Sequence, residues 1–179
     1  MRKGIGIKPI IFVLVFILLA GCSLKSEKEA LKDTEEAAKQ TFNSSEDIET
    51  NKKLENFSLY LPEDLSVKEA TASNVILKNG DQTYIVFYNK LEGPTSKLNY
   101  KSAQRDEALL IKSFEDPEKF GYIRVLSSED DKYELQVGIG GVKITTYTDK
   151  SSMDEDGKNL MKIARSIAET DENKEANTD

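Results

Sequence analysis

Residues 120–147, FGYIRVLSSEDDKYELQVGIGGVKITTY, carry the pattern that decides the fold. Tyr122, Arg124 and Leu126 alternate with Ile123 and Val125, and a period of two puts successive side chains on opposite faces of a strand. The polar run Ser128-Glu129-Asp130-Asp131 predicts a turn. After it, Tyr133, Leu135 and Val137 share one face of a second strand. Gly138-Ile139-Gly140-Gly141 permits a tight reversal, since glycine reaches backbone angles that other residues avoid. A third strand follows in Val142-Lys143-Ile144-Thr145-Thr146-Tyr147, so the stretch reads as three consecutive antiparallel strands.

Downstream, Leu160, Ile163, Ala164 and Ile167 recur at helical spacing with Met161 and Ala168 beside them, and predict an amphipathic helix packed on the sheet. Its start is marked by Ser152 with Glu155 three residues later, a capping-box pattern. Asp154 and Asp156 suit the positive end of the helix dipole. Gly157 costs this helix ~1 kcal/mol relative to Ala. Residues 170–179 read as a polar, disordered acidic tail. Upstream, Leu98, Ala103, Leu109, Leu110 and Ile111 form an imperfect apolar stripe that predicts a middle helix over 97–114. Asn79-Gly80-Asp81-Gln82 separates two β-rich runs, 74–78 and 83–89, and an Asn-Gly pair there is a strong hairpin signal. The arm Tyr84-Ile85-Val86-Phe87-Tyr88 is apolar on both faces, which predicts a central strand covered on each side. An opening strand, Phe57-Ser58-Leu59-Tyr60-Leu61, ends at Pro62-Glu63-Asp64, and a further strand is expected over 65–70. The expected architecture is a single α+β domain over 57–169, an antiparallel sheet of about six strands packed with the middle helix and the C-terminal amphipathic helix.

Before this domain, residues 22–56 are polar and charged. A helix over 27–42 is expected, but its apolar face of Leu31, Ala38 and Phe42 is thin, so the segment reads as a partly helical tether. Earlier still, Arg2, Lys3 and Lys8 precede an unbroken apolar run, 10–20, that ends in Leu19-Ala20-Gly21-Cys22. A cationic segment, a short apolar segment and then small residues are the layout of a secretory signal peptide, here 1–21. Crossing the ~30 Å hydrocarbon core takes ~20 apolar residues, and this run is shorter and followed at once by charge.

Composition excludes several chemistries. The chain has no histidine and one cysteine, Cys22. Ser-His-Asp and Cys-His catalytic arrangements and zinc sites of His and Cys are therefore ruled out. A carboxylate pair, a Ser-Lys dyad or an oxygen-ligand metal site remains chemically open, and residue type alone does not single one out. The net charge of −7 becomes −10 once the three cations of 1–21 are removed. No basic run interleaved with aromatics occurs, so nucleic acid is not an expected partner. No cofactor is expected either. Gly138-Ile139-Gly140-Gly141 lacks the Gly-Lys-Ser/Thr ending of a phosphate loop and precedes a strand, not a helix. Aligning Ser152, Asp154, Asp156 and Gly157 with a calcium loop puts Ile163 where a bidentate carboxylate is required. Tyr84, Tyr88, Tyr100, Tyr122, Tyr133 and Tyr147 raise the question of an aromatic binding face, although strand alternation should send half of them inward.

The tetrad Leu19-Ala20-Gly21-Cys22 resembles the lipobox of bacterial lipoproteins. The resemblance implies cleavage between Gly21 and Cys22, a diacylglyceryl group on the sulfur and a palmitoyl group on the new N-terminus of Cys22. It also implies that the mature chain is held on the extracytoplasmic face of the cell membrane. The element order from Phe57 to Ala168 is similar to the PsbP/DcrB-like fold of small extracytoplasmic and lumenal domains. That similarity implies a non-enzymatic module that binds or supports another envelope protein; apart from the resemblance, capture of a small ligand, or a hydrolase using carboxylates or a Ser-Lys dyad, stands as the alternative.

Overall fold

The computed structural model describes residues 25–175. The chain forms α1 (Glu27–Asn43), β1 (Lys52–Lys53), β2 (Ser58–Leu59), β3 (Ser66–Ala70), β4 (Asn74–Asn79), β5 (Gln82–Tyr88), α2 (Leu98–Ala103), β6 (Leu110–Glu115), β7 (Phe120–Ser127), β8 (Tyr133–Ile139), β9 (Val142–Thr148) and α3 (Met153–Glu175). The fold is α+β. One seven-stranded sheet has the order β3-β4-β5-β9-β8-β7-β6, and β1 and β2 make a separate two-stranded sheet. Every pairing is antiparallel.

The meander β7-β8-β9 forms as the alternation predicts. Its register sets Ile123, Val137 and Ile144 side by side on one face, and all three are fully buried. The β8–β9 turn places Gly140 at φ +51° and the β4–β5 turn places Gly80 at φ +53°. Each glycine holds the first central position of a two-residue loop, the pattern of a type II′ turn, where a side chain would be strained. At the β7–β8 tip the same left-handed region is taken by Asp130 and Asp131, residues that tolerate it better than most.

The middle helix departs from the expectation. Only Leu98–Ala103 is helical, and Leu110–Glu115 is the edge strand β6, paired with β7 from Leu110↔Val125 to Glu115↔Phe120. Leu110 and Phe114 are the buried residues of this strand. A spacing of four lies on one face of a helix and also on one face of a strand, so the apolar pattern could not choose. The unpaired edge of β7 chose, by offering ladder hydrogen bonds. The opening strand is likewise reduced to Ser58–Leu59, paired with Lys52–Lys53 outside the main sheet. The arm 84–88 is interior in strand order but covered on one face only: Tyr84, Val86 and Tyr88 are buried, whereas Ile85 is 50% exposed.

Residues 27–43 were expected in a tether, and the structure packs them into the core. Ser26 caps α1 through a complete capping box with Glu29. Ala30, Ala38 and Phe42 are fully buried. The Phe42 ring lies 5.7 Å from that of Phe114, over Gly121, where an added Cβ would come within 2.7 Å of it. The stripe is thin, but full burial of one phenylalanine alone contributes ~2 kcal/mol. Along its length α1 runs parallel to α3. Lys25 pairs with Asp154 at 3.1 Å, Thr34 meets Gly157, and Arg165 donates to the carbonyls of Thr41 and Glu46. The last turn of α1 has no basic residue of its own, so Arg165 supplies the cation that a helix C-terminus favours. The closing helix also runs further than expected, through Glu175, and Thr170 bonds back to the Ser166 carbonyl. The disordered-tail reading is therefore corrected for 170–175, and the rest of it lies outside the described residues.

The close approach of α1 and α3 makes a prediction at Gly157. A Cβ there would sit 3.0 Å from Thr34 Cγ2, and Thr34 is fully buried with its hydroxyl bonded to Ala30 O at 2.6 Å. Gly157→Ala should therefore fail to deliver the ~1 kcal/mol that the substitution gains in an open helix. In a Thr34→Ser background, which removes only the methyl, the gain should reappear. Urea unfolding of the four proteins of this cycle checks it, and an equal gain in both backgrounds would refute the packing account.

Candidate functional site

A concavity with a buried carboxylate in its lining lies where α3 begins. It is a cleft of about 220 Å³ between α3, the β4–β5 hairpin and the segment before β3, lined by Pro62, Asp64, Leu65, Asn79, Gln82, Tyr84, Ser152, Glu155, Asp156, Asn159, Leu160 and Ile163. At its floor Asp156 is only 7% exposed. Its Oδ1 accepts from the Tyr84 hydroxyl at 3.0 Å, and its Oδ2 accepts from Gln82 Nε2 at 3.0 Å and from Thr148 Oγ1. The carboxylate also sits in the first turn of α3, where the peptide dipoles favour negative charge. Three side-chain donors and a helix terminus satisfy the oxygens of this buried group.

In sequence, Asp156 is assigned to the positive end of the helix dipole, with nothing said of burial. The signal for its burial was present. Positions 156, 160, 163 and 167 fall on one helical stripe, so Asp156 lies on the same face as Leu160, Ile163 and Ile167, all fully buried. Its partners were harder to find. Gln82, Tyr84 and Thr148 come from two strands that are adjacent in the sheet but far apart in sequence.

The rim of the cleft is rich in acceptors and amides. Asn79 Nδ2 donates to Asp64 at 2.8 Å, and Glu155 and Asn159 face them from α3. This lining suits a small polar or cationic ligand and disfavours an anion. Asp156 is an unpromising general base because its oxygens are already occupied. No group of three or more acidic, cysteine or histidine side chains arranged for a metal occurs among the described residues.

The remaining sequence candidates are dispersed. Cys22 and Gly21 lie outside the described residues. Gly138 to Gly141 forms the β8–β9 hairpin and its approach. Of the calcium-loop alignment, residues 153–163 are continuous helix, with Ile163 in the core. The tyrosines make no common face. Tyr84 and Tyr88 point into the helix-covered side, Tyr122 is buried on the opposite side under Tyr100 at 5.9 Å, and Tyr147 is 56% exposed. The opposite side also holds a network that the sequence reading did not contain. Arg124 is buried, ion-paired with Glu134 and bonded to the Ala103 carbonyl at the end of α2. Tyr122 donates to Gln136 at 3.1 Å, and Gln136 donates to Thr145 at 3.1 Å. Asn99 ties α2 to the Gly140 carbonyl at 2.9 Å. The bonds of Arg124 to Ala103 and of Asn99 to Gly140 fasten α2 to the sheet.

Two predictions follow from the buried polar groups. Asp156→Ala leaves three donors without their acceptor and should cost about 3 kcal/mol, whereas Asp156→Asn keeps the shape and should cost about half of that. Chemical denaturation measures both, and a loss below ~1 kcal/mol for the alanine variant would mean that water replaces the carboxylate. Burial, followed by the charge and hydrogen bond of Asp156, pushes the Tyr84 phenol above its ordinary value of 10.0. Burial does the same to Tyr122. A raised folded-state value means that the folded chain keeps protons that the unfolded chain releases. Stability should thus be complete below pH 10 and fall as pH rises above it. Tyr84→Phe or Tyr122→Phe should each remove about 1.4 kcal/mol per pH unit from that slope, read from urea midpoints on the alkaline side.

Compared with known proteins, this chain matches no family model, no curated protein and no solved structure.

Proposed function

We propose that this chain is an extracytoplasmic lipoprotein, held on the cell membrane through an acylated Cys22, whose domain acts by binding another component of the envelope. The observation that carries the reading is the run 10–20, preceded by Arg2, Lys3 and Lys8 and ending in Leu19-Ala20-Gly21-Cys22. Two acyl signals hold a protein stably where one does so only marginally. No helix among the described residues is long and apolar enough to cross a membrane. The binding part of the proposal draws on a histidine-free chain and on a cleft whose buried carboxylate is committed to three donors.

Capture of a small polar ligand is a second reading, favoured by the carboxylates and amides that line the cleft. Thermal-shift screening against polar metabolites and cations separates it from docking of a protein, which cross-linking in cells and pull-down would detect. For the anchor, Cys22→Ala should accumulate as the uncleaved chain without lipid, while the wild type from the membrane fraction carries the mass of its acyl groups on Cys22. A wild-type protein of unmodified mass would overturn the lipoprotein reading.

A further inference from the structure

We infer that one particular end of the domain rests on the phospholipid headgroup surface: the end formed by the starts of α1 and α3 and the β7–β8 tip. The inference builds on the lipoprotein reading of Cys22 and adds an orientation that the motif alone does not contain. Ser26 is the N-cap of α1, so three residues separate Cys22 from the folded body. Four steps of extended chain span at most ~14 Å. The usable length is shorter still, because Lys25 is tied to Asp33 at 2.8 Å and to Asp154 at 3.1 Å. Nor can α1 peel away to lengthen the leash. Ala30, Ala38 and Phe42 are buried, and Arg165 holds the far end of the helix.

The register decides what comes down with the anchor. Ser127 pairs with Tyr133 and Tyr133 with Thr148, so the β7–β8 tip, the end of β9 and the start of α3 share one edge of the molecule. Glu27 of α1 accepts from the Tyr133 hydroxyl at 2.9 Å, which joins the anchored helix to that edge. The edge is polar: Glu129, Asp130, Asp131 and Asp149 stand on it, with Lys132 paired to Asp149 at 2.8 Å. Its acidic charge gives no attraction to headgroups, so the short tether alone holds it at the headgroup layer, without insertion into hydrocarbon. The β6–β7 turn and the loop carrying Leu91, which is 95% exposed, lie at the opposite end. The eight residues of β7 put ~26 Å between the two ends.

The test uses the full chain, processed by its host, with azidophenylalanine in place of Glu129 or Glu118 and a short-range fluorescent donor attached to it. Both positions are exposed turn residues. Reconstituted in phosphatidylcholine vesicles containing an acceptor lipid, the donor at 129 should transfer energy about twofold or more better than the donor at 118, given the separation set by β7. Inserting about twelve Gly and Ser residues between Leu24 and Lys25 adds a flexible reach of ~19 Å and should bring the two positions to equality. Equal or reversed transfer in the unextended chain overturns the orientation. Intact mass of the same sample reports separately whether Cys22 is acylated. If it is not, its free thiol is coupled to a maleimide phospholipid and the same comparison decides the geometry.

Discussion

The buried carboxylate of Asp156 is the constraint on which the arrangement of the rest depends. An amphipathic helix lying on a sheet can slide by a turn and still bury apolar surface, because the hydrophobic effect has no direction. Hydrogen bonds have one. By accepting from Tyr84 and Gln82 on β5 and from Thr148 on β9, Asp156 fixes the height of α3 along the sheet. A slip would strand a charge and three donors away from water, at a cost that apolar contacts would not offset. Farther along the same helix, Ser166 accepts from the backbone N–H of Tyr60 at 2.8 Å and ties the small β1–β2 sheet to the same register.

With α3 fixed, α1 has one place to dock. Gly157 provides the low point over which Thr34 passes, and Arg165 reaches the carbonyl end of α1. The helices lie parallel, and the shared direction brings both N-termini to one edge of the molecule. Parallel packing also aligns the two helix dipoles unfavourably. Asp154 near the two N-termini and Arg165 at the C-terminal carbonyls of α1 oppose that repulsion. A segment that composition describes as a spacer is thereby converted into a wall of the core, and the proposed lipid anchor is brought close to the body.

The parts of the fold legible in the sequence are those held by local chemistry. The hairpin at Asn79-Gly80, the reversal at Gly140-Gly141 and the meander between Phe120 and Tyr147 each combine strict alternation with a turn residue suited to its backbone angles. The misread segments are those where local pattern was ambiguous and a distant partner decided. Leu110 and Phe114 fit either period until the edge of β7 claimed them. Leu31, Ala38 and Phe42 look too few to bury a helix, and in the structure Ala30 and Thr34 replace Leu31 on the buried face, with the flat site at Gly121 and the phenyl of Phe114 beneath Phe42. For the candidate site, the helical stripe holds the signal that Asp156 faces inward, although in sequence that residue is assigned only to the helix dipole. It did not show that Tyr84, Gln82 and Thr148 would be waiting there.

By itself, the sequence determined the α+β class, the antiparallel meander, the closing helix, and the composition that removes histidine chemistry. These follow from periodicity, turn geometry and residue type, all of which act within a few residues along the chain. It also supplies the motif on which the proposed membrane anchor rests. Only the tertiary structure decided that 110–115 is a strand, that α1 belongs to the core, and that Asp156 is the buried hub of a polar cleft. Each of those outcomes depends on free energy gained between separate segments of the chain, where an edge strand, a glycine gap or a set of donors exists only once those segments have come together.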